Sequence, residues 1–286
     1  MFPILSHLKE NSQTSLKFAQ NKRFVFSFYV ILPKMNLYFE ELFVSTSNHF
    51  DSIADSFNRL WYFSDDYKDF VIQHIIDELT LSGEDILVDI GGGTGTFTSR
   101  LEQESCLKKA YCIEPASAMC EEASKLTNIT AICGDAHAFL AEHIPFTKIL
   151  LKEVIHHIPE REAFWKTVHT MLPHRGKLLI ITRPQHVAFP FFKAAKEAFA
   201  RNQPPHELFE SQLRECGFEV ETTLRSHTFT LSKERWYEML RHRFMSDLGV
   251  FSDEEIEEGI REIEENYTRE SIDIIDNLIF ITATKK

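Results

Sequence analysis

Residues 86–97 constrain the fold more than any other stretch of the chain. They read Ile86-Leu87-Val88-Asp89-Ile90-Gly91-Gly92-Gly93-Thr94-Gly95-Thr96-Phe97. The apolar run suits a strand buried on both faces. The glycines permit a tight turn that lets the backbone approach a ligand, and a helix opening at Thr96 offers its free N–H groups to the same place. A dinucleotide fingerprint read from Gly91 needs a third glycine or alanine at position 96, where threonine stands. A nucleotide-dependent oxidoreductase is therefore disfavoured.

The pattern continues past this turn. Strand-like runs recur at residues 110–113, 128–133, 148–152 and 177–182. Helical stretches lie between them, at about 96–104 and 117–126 and again after Pro159, where Phe164, Trp165, Val168, Met171 and Leu172 fall on one face. Strands alternating with helices at this spacing predict βαβ units and a parallel sheet covered on both sides. After Arg183-Pro184 the rhythm changes. A helix through Phe189, Phe192, Ala195 and Phe199 stops near Pro204-Pro205, and another ends at Cys216-Gly217. A long strand over 218–231, helices over 233–244 and from Ser252, and a closing strand over 278–284 complete the reading. Ser252 and Glu255 match a capping box.

The order Asp89, Gly91, Gly93, Gly95 on this strand resembles the first motif of the class I S-adenosylmethionine-dependent methyltransferases. Three further segments, each at the end of a successive strand, carry the resemblance on. Glu114 in Tyr111-Cys112-Ile113-Glu114-Pro115 is placed to accept the ribose hydroxyls. Cys133-Gly134-Asp135-Ala136 resembles the adenine-recognising motif, and Lys152-Glu153-Val154-Ile155-His156-His157 resembles the segment after the fourth strand. The resemblance runs from about His49 onward. It implies an α/β, Rossmann-like fold with a seven-stranded, mostly parallel sheet, an antiparallel last strand and a helical lid insertion. It also implies S-adenosyl-L-methionine as methyl donor, held by Asp89, Gly91, Gly93, Gly95, Glu114, Asp135, Ala136 and Glu153, with no metal. Residues 49–57 and 61–63 resemble the family's N-terminal cover helix. For His156 and His157 two roles stay open, a general base or a structural support of the loop.

Missing signatures narrow the acceptor. The fourth strand ends in Lys152-Glu153, without the Asn/Asp-Pro-Pro-Tyr of amino-methylating DNA enzymes or the cysteine of cytosine C5 enzymes. The fifth ends in Thr182-Arg183-Pro184, without the Asp-Asn that holds magnesium in catechol-type enzymes. Methyl transfer to a small organic acceptor is the expectation. A non-catalytic cofactor binder and a protein or RNA methyltransferase are the alternatives. On the helix over 233–244, Trp236, Leu240 and Arg243 share one face. If residues 233–270 form a lid, Trp236 walls the acceptor and Arg243 pairs with its acidic group; the competing reading packs that face on the sheet.

Composition supports this within limits. The 286 residues carry 31 basic and 43 acidic side chains, net −12, which disfavours nucleic-acid partners. The 25 phenylalanines are enough to line a pocket, although most are more simply core. Five cysteines without a CxxC pair suggest reduced, buried thiols, and with them a cytoplasmic protein. Residues 1–35 form a basic, motif-free extension, dispensable or targeting, ahead of a methyltransferase domain over 36–286 whose cofactor core spans about 84–183. Its apolar run over 24–32 is too short for a membrane span. Nothing in the sequence indicates the oligomeric state.

Overall fold

Each central strand contributes alternate side chains to two separate apolar layers. Leu87, Leu150 and Leu179 join one buried cluster, while their neighbours Val88, Leu151 and Ile180 join the other. That is the period of two expected of strands covered on both faces. The computed structural model describes residues 48–286; the extension over 1–35 lies outside them. Parallel strands β1 (Ile86–Ile90), β2 (Lys109–Glu114), β3 (Thr130–Cys133), β4 (Lys148–Lys152) and β5 (Lys177–Thr182) are joined by antiparallel β7 (Ser271–Lys285) and β6 (Phe218–Ser232). The order is β3-β2-β1-β4-β5-β7-β6. It bears out the fold expected from the resemblance.

The helices are α1 (residues 48–60) and α2 (Asp65–Leu79), then α3 (Thr96–Ser105), α4 (Ser117–Ser124), α5 (Ala136–Ala141), α6 (Arg161–Met171), α7 (Lys193–Asn202), α8 (His206–Glu215), α9 (Lys233–Arg241) and α10 (Asp253–Asn266). α9 and α10 form the insertion between β6 and β7. The capping box at Ser252 and Glu255 is present at the start of α10. None of the described helices is long and apolar enough to cross a membrane.

Two sequence expectations need correction. The final strand begins at Ser271, seven residues before the predicted 278. Asp273, Asp276 and Asn277 read as turn formers, but Ile272, Ile274 and Asp276 alternate inward against a partner strand of equal length. The cysteines are not all reduced and buried. Packing α4 against β3 brings the Cα atoms of Cys120 and Cys133 to 5.6 Å, and the two form a disulfide; of the remaining three, Cys106 is exposed.

Candidate active site

The glycine turn after β1 takes the shape its sequence demands. Gly91, Gly93 and Gly95 have φ of 69°, 59° and 73°, the left-handed region that side chains with a Cβ rarely adopt. Their surroundings differ. A Cβ on Gly91 would lie 2.4 Å from Val154 Cγ2, and one on Gly95 2.8 Å from Ile129 Cδ1, so both let neighbouring segments pack. A Cβ on Gly93 would meet nothing closer than Phe57 Cε1 at 3.6 Å, which leaves this backbone open on its outer side. Asp89 lies beneath the turn, buried, with Oδ2 accepting the Thr98 hydroxyl at 2.6 Å. Burial raises its carboxyl to about 6. It braces the start of α3 and does not face the open side.

Glu114 ends β2 directly beside Gly93. Its Oε2 accepts the Gly93 N–H at 3.0 Å and its Oε1 the Ala116 N–H at 2.8 Å. Burial raises this carboxyl to about 7, and the two backbone hydrogen bonds oppose the rise. Each oxygen keeps lone pairs for further donors. Asp135 caps α5 by accepting the Ala138 N–H through Oδ1 at 2.9 Å, while its second oxygen has no partner among the described residues. The following Ala136 is buried.

Helix α1 lies over this cradle and is tied to it at two points. Asn58 Oδ1 accepts the hydroxyls of Thr94 and Thr96, at 2.5 and 2.9 Å. Asp51 Oδ1 accepts the Ala118 N–H at 2.7 Å, capping α4, which has no side-chain cap of its own. Phe57 reaches over Gly93, as the resemblance to a cover helix implied.

The carboxyl ends of β4 and β5 carry a buried charge cluster. Arg183 makes a two-pronged contact with Asp276 of β7, Nε to Oδ1 and Nη2 to Oδ2, both at 2.8 Å, and pairs with Glu153 through Nη1. Tyr67 donates to Asp276 Oδ2 at 2.6 Å. The guanidinium sits 5.5 Å from the centre of the Trp61 ring and 5.2 Å from that of Phe189. Glu153 has φ 58°, a strained value for glutamate, held by its N–H donating to Ile181 O at 2.8 Å. Its Oε1 is buried without a partner among the described residues. Lys152, one residue earlier, lays its ammonium 4.4 Å from the centre of the Phe97 ring.

His156 and His157 follow on a 3₁₀ turn, their rings 4.0 Å apart. Burial lowers both, His157 to about 4 and His156 well below the usual imidazole range, and each histidine sits near another cationic or titrating group. Both are neutral at pH 7. His156 Nδ1 is buried without a partner among the described residues.

The lid residues take the packing arrangement. Trp236 is fully buried and its indole N–H donates to Pro190 O at 3.0 Å. Arg243 donates to Phe251 O at 2.9 Å and to Asp253 at 2.6 Å, on the acidic helix. Neither offers a free group to an acceptor, so the acceptor-wall expectation is replaced by a core tryptophan and a helix tie. Tyr67, Asp276 and Asn58 went unnoticed in the sequence, and Asp51 was noted only as part of the cover-helix segment. A charged residue closing the apolar strand β5 was the one visible hint of the Arg183 cluster.

Comparison with known proteins agrees with this geometry. Residues 88–180 match the family model described as a methyltransferase domain. The YcgJ protein of Bacillus subtilis superposes with a TM-score of 0.53 at 13% identity, covering 75% of this chain and 97% of that one. Phosphoethanolamine N-methyltransferase 2 of Haemonchus contortus, solved with S-adenosyl-L-methionine, superposes with 0.52 at 16% identity, covering 82% of this chain and 57% of that one. The [4+2]-cyclase SpnF superposes with 0.51 at 15% identity, covering 76% and 80%. Such likenesses establish a shared fold, not a shared reaction. No curated protein sequence matches the chain.

Proposed function

We propose that this chain, which carries a methyltransferase domain of the class I S-adenosylmethionine-dependent fold, transfers a methyl group to a small organic acceptor. One observation carries the reading. A buried Glu114 carboxylate is bonded to the backbone of an open, left-handed glycine turn, at the strand ends where α/β sheets hold ligands. The residues fit the cofactor. Gly93 leaves backbone exposed for close approach, Glu114 has lone pairs for two ribose hydroxyls, Asp135 has an oxygen for the adenine amino group, and Glu153 has an orphaned oxygen for the α-ammonium. When bound, S-adenosyl-L-methionine supplies an electrophilic methyl group on a sulfonium.

The chain's own part is to bind, orient and exclude water. Holding a nucleophile in line supplies much of the rate in such a transfer. Neutral His156 and His157 can line the reaction space and accept hydrogen bonds, but an imidazole at about 4 is a weak base. This supports an acceptor that is already nucleophilic, such as a thiolate, a carboxylate or a neutral amine. The cover helix and the net charge of −12 support a small acceptor over a nucleic acid.

The test is incubation of the full chain and S-adenosyl-L-methionine with fractionated metabolite pools, reading S-adenosylhomocysteine release and the methylated product by mass spectrometry. Gly93→Arg, which places a long side chain on the open face at φ 59°, should abolish both release and cofactor binding. Unchanged S-adenosylhomocysteine affinity in Gly93→Arg and in Asp135→Ala would refute the cofactor assignment. Binding without release from any pool would favour a non-methylating role.

A further inference from the structure

The loop closed by Cys120 and Cys133 stands behind the glycine turn. Cys120 lies in α4, two residues past Ala118, whose N–H is capped by Asp51 of the cover helix. Cys133 is the last residue of β3, and Gly134 and Asp135 follow it directly. Between the two cysteines, Ala123, Leu126 and Ile129 pack on Gly95, where a Cβ would meet them at 3.1, 3.2 and 2.8 Å. Asn128 ties the same loop to α3, accepting the Ser99 hydroxyl and donating to Ser99 O, both at 2.9 Å. The strand at the end of this loop is weakly held. β3 has four residues, none fully buried, and as the last strand of the sheet it pairs with β2 alone. The backbone leaving it is tied back by the Gly134 N–H, which donates to Glu114 O at 3.1 Å. Of the two sulfur-bearing residues, Cys120 is fully buried and Cys133 is exposed.

We propose that the Cys120–Cys133 bond is a redox switch on cofactor affinity, with the oxidised protein binding tightly and the reduced protein weakly. The inference rests on the methyltransferase reading above and adds control to it. A dithiol reductant supplies the two electrons. Its thiolate attacks the sulfur of exposed Cys133, the S–S bond breaks, and Cys120 leaves as a thiolate that takes up a proton. The reductant's second thiolate then attacks the mixed disulfide, Cys133 leaves and is protonated, and the reductant departs as its own disulfide. Without the crosslink, the end of β3 and the start of Asp135 are no longer fixed to α4, and the packing behind Gly95 loosens with them. Binding must then reorder the loop first, which lowers affinity without removing any residue that touches the ligand. Linkage makes the effect reciprocal, so the cofactor must favour the disulfide by the factor by which the disulfide favours the cofactor.

The experiment titrates S-adenosylhomocysteine calorimetrically into the full chain, oxidised and then reduced with dithiothreitol, with the thiol titre recording the state. Reduction should weaken binding about tenfold, within the usual range of coupling between sites, and re-oxidation should restore it. The variant Cys120→Ala/Cys133→Ser should bind as weakly as the reduced wild type and be indifferent to dithiothreitol. In graded mixtures of reduced and oxidised dithiothreitol, saturating S-adenosylhomocysteine should move the midpoint of the thiol titre by about 30 mV, the equivalent of tenfold. Equal affinity in the two states of the wild type overturns the proposal, as does a midpoint that S-adenosylhomocysteine leaves in place. A dithiothreitol effect that persists in the double variant would assign the response to another thiol, with the same result. Loss of cooperative melting on reduction would make the bond a general staple and also overturn it. If the oxidised wild type does not bind S-adenosylhomocysteine at all, the methyltransferase reading itself fails and takes this one with it.

Discussion

Replacing Glu114 with glutamine should make the unliganded protein more stable at pH 8 and less able to bind cofactor. The carboxyl is raised from an ordinary 4.5 to about 7. That difference corresponds to roughly 3 kcal/mol spent on keeping the charge in the folded state above pH 7. The sign follows from proton binding. The native carboxyl holds its proton more tightly than the unfolded one, so its contribution to stability falls as pH rises from about 4.5 to about 7, and is level beyond. Glutamine removes the charge but has one acceptor for two N–H groups, Gly93 and Ala116, and the mismatch costs about 1–2 kcal/mol. The net gain at pH 8 is therefore about 1–2 kcal/mol. At pH 5 the wild-type group is already mostly protonated, the gain disappears, and the variant is equal or slightly weaker. Groups common to both proteins, Asp89 among them, largely cancel in the difference. Urea unfolding of both proteins at pH 5 and pH 8 measures this, and S-adenosylhomocysteine titration at pH 8 should show at least about a tenfold loss. A stability difference independent of pH, or cofactor affinity unchanged in Glu114→Gln, would refute the reasoning.

Other consequences can be checked in the same way. Arg183→Met strands the buried Asp276 carboxylate and should cost about 3–5 kcal/mol, whereas adding Asp276→Leu should recover part of that loss; strictly additive urea melts would contradict a coupled pair. Reducing Cys120–Cys133, which closes a loop with a sequence separation of 13, should lower stability by about 3 kcal/mol and raise the thiol titre by two; five free thiols in the unreduced, denatured protein would rule the crosslink out. With His157 lowered to about 4, turnover should show no histidine inflection between pH 6 and 8; an inflection near 6.5 that vanishes in His157→Gln would show the ring to be an ordinary base.

The half of the site proposed to hold the cofactor was readable as a cluster because its signals are local. A strand, a glycine turn and a helix follow one another within twelve residues, and Glu114 and Asp135 sit where neighbouring strands end. The opposite half was not, because its contacts join distant parts of the chain. Arg183 and Asp276 are 93 positions apart, and Tyr67 is 209 from Asp276. Asp276 was further concealed by a strand start that looks like a turn. The aromatic and cationic face of α9 suited either an acceptor wall or a core, and only packing decided between them. The disulfide escaped notice because no sequence spacing announces it; it depends on how α4 settles on β3. Thr96, which breaks the dinucleotide fingerprint, turned out to serve the cover helix through Asn58.

The position of β7 has a consequence for how the protein matures during synthesis. β1 to β5 are made in sequence, yet β5 acquires its outer neighbour only when β7 emerges, after β6, α9 and α10 have been translated. At about 5–20 residues per second, the nascent chain spends several seconds with Thr182 and Arg183 at an unfinished sheet edge. During that interval the guanidinium lacks both bonds to Asp276, and Glu153 lacks the fixed partner that sets its orientation. The β1–β3 cradle needs nothing from β7. If the cradle holds S-adenosyl-L-methionine as proposed, adenosine recognition can form on the emerging chain while the β4–β5 end stays incomplete, so a ribosome-bound intermediate would hold the nucleoside before it could direct a methyl group.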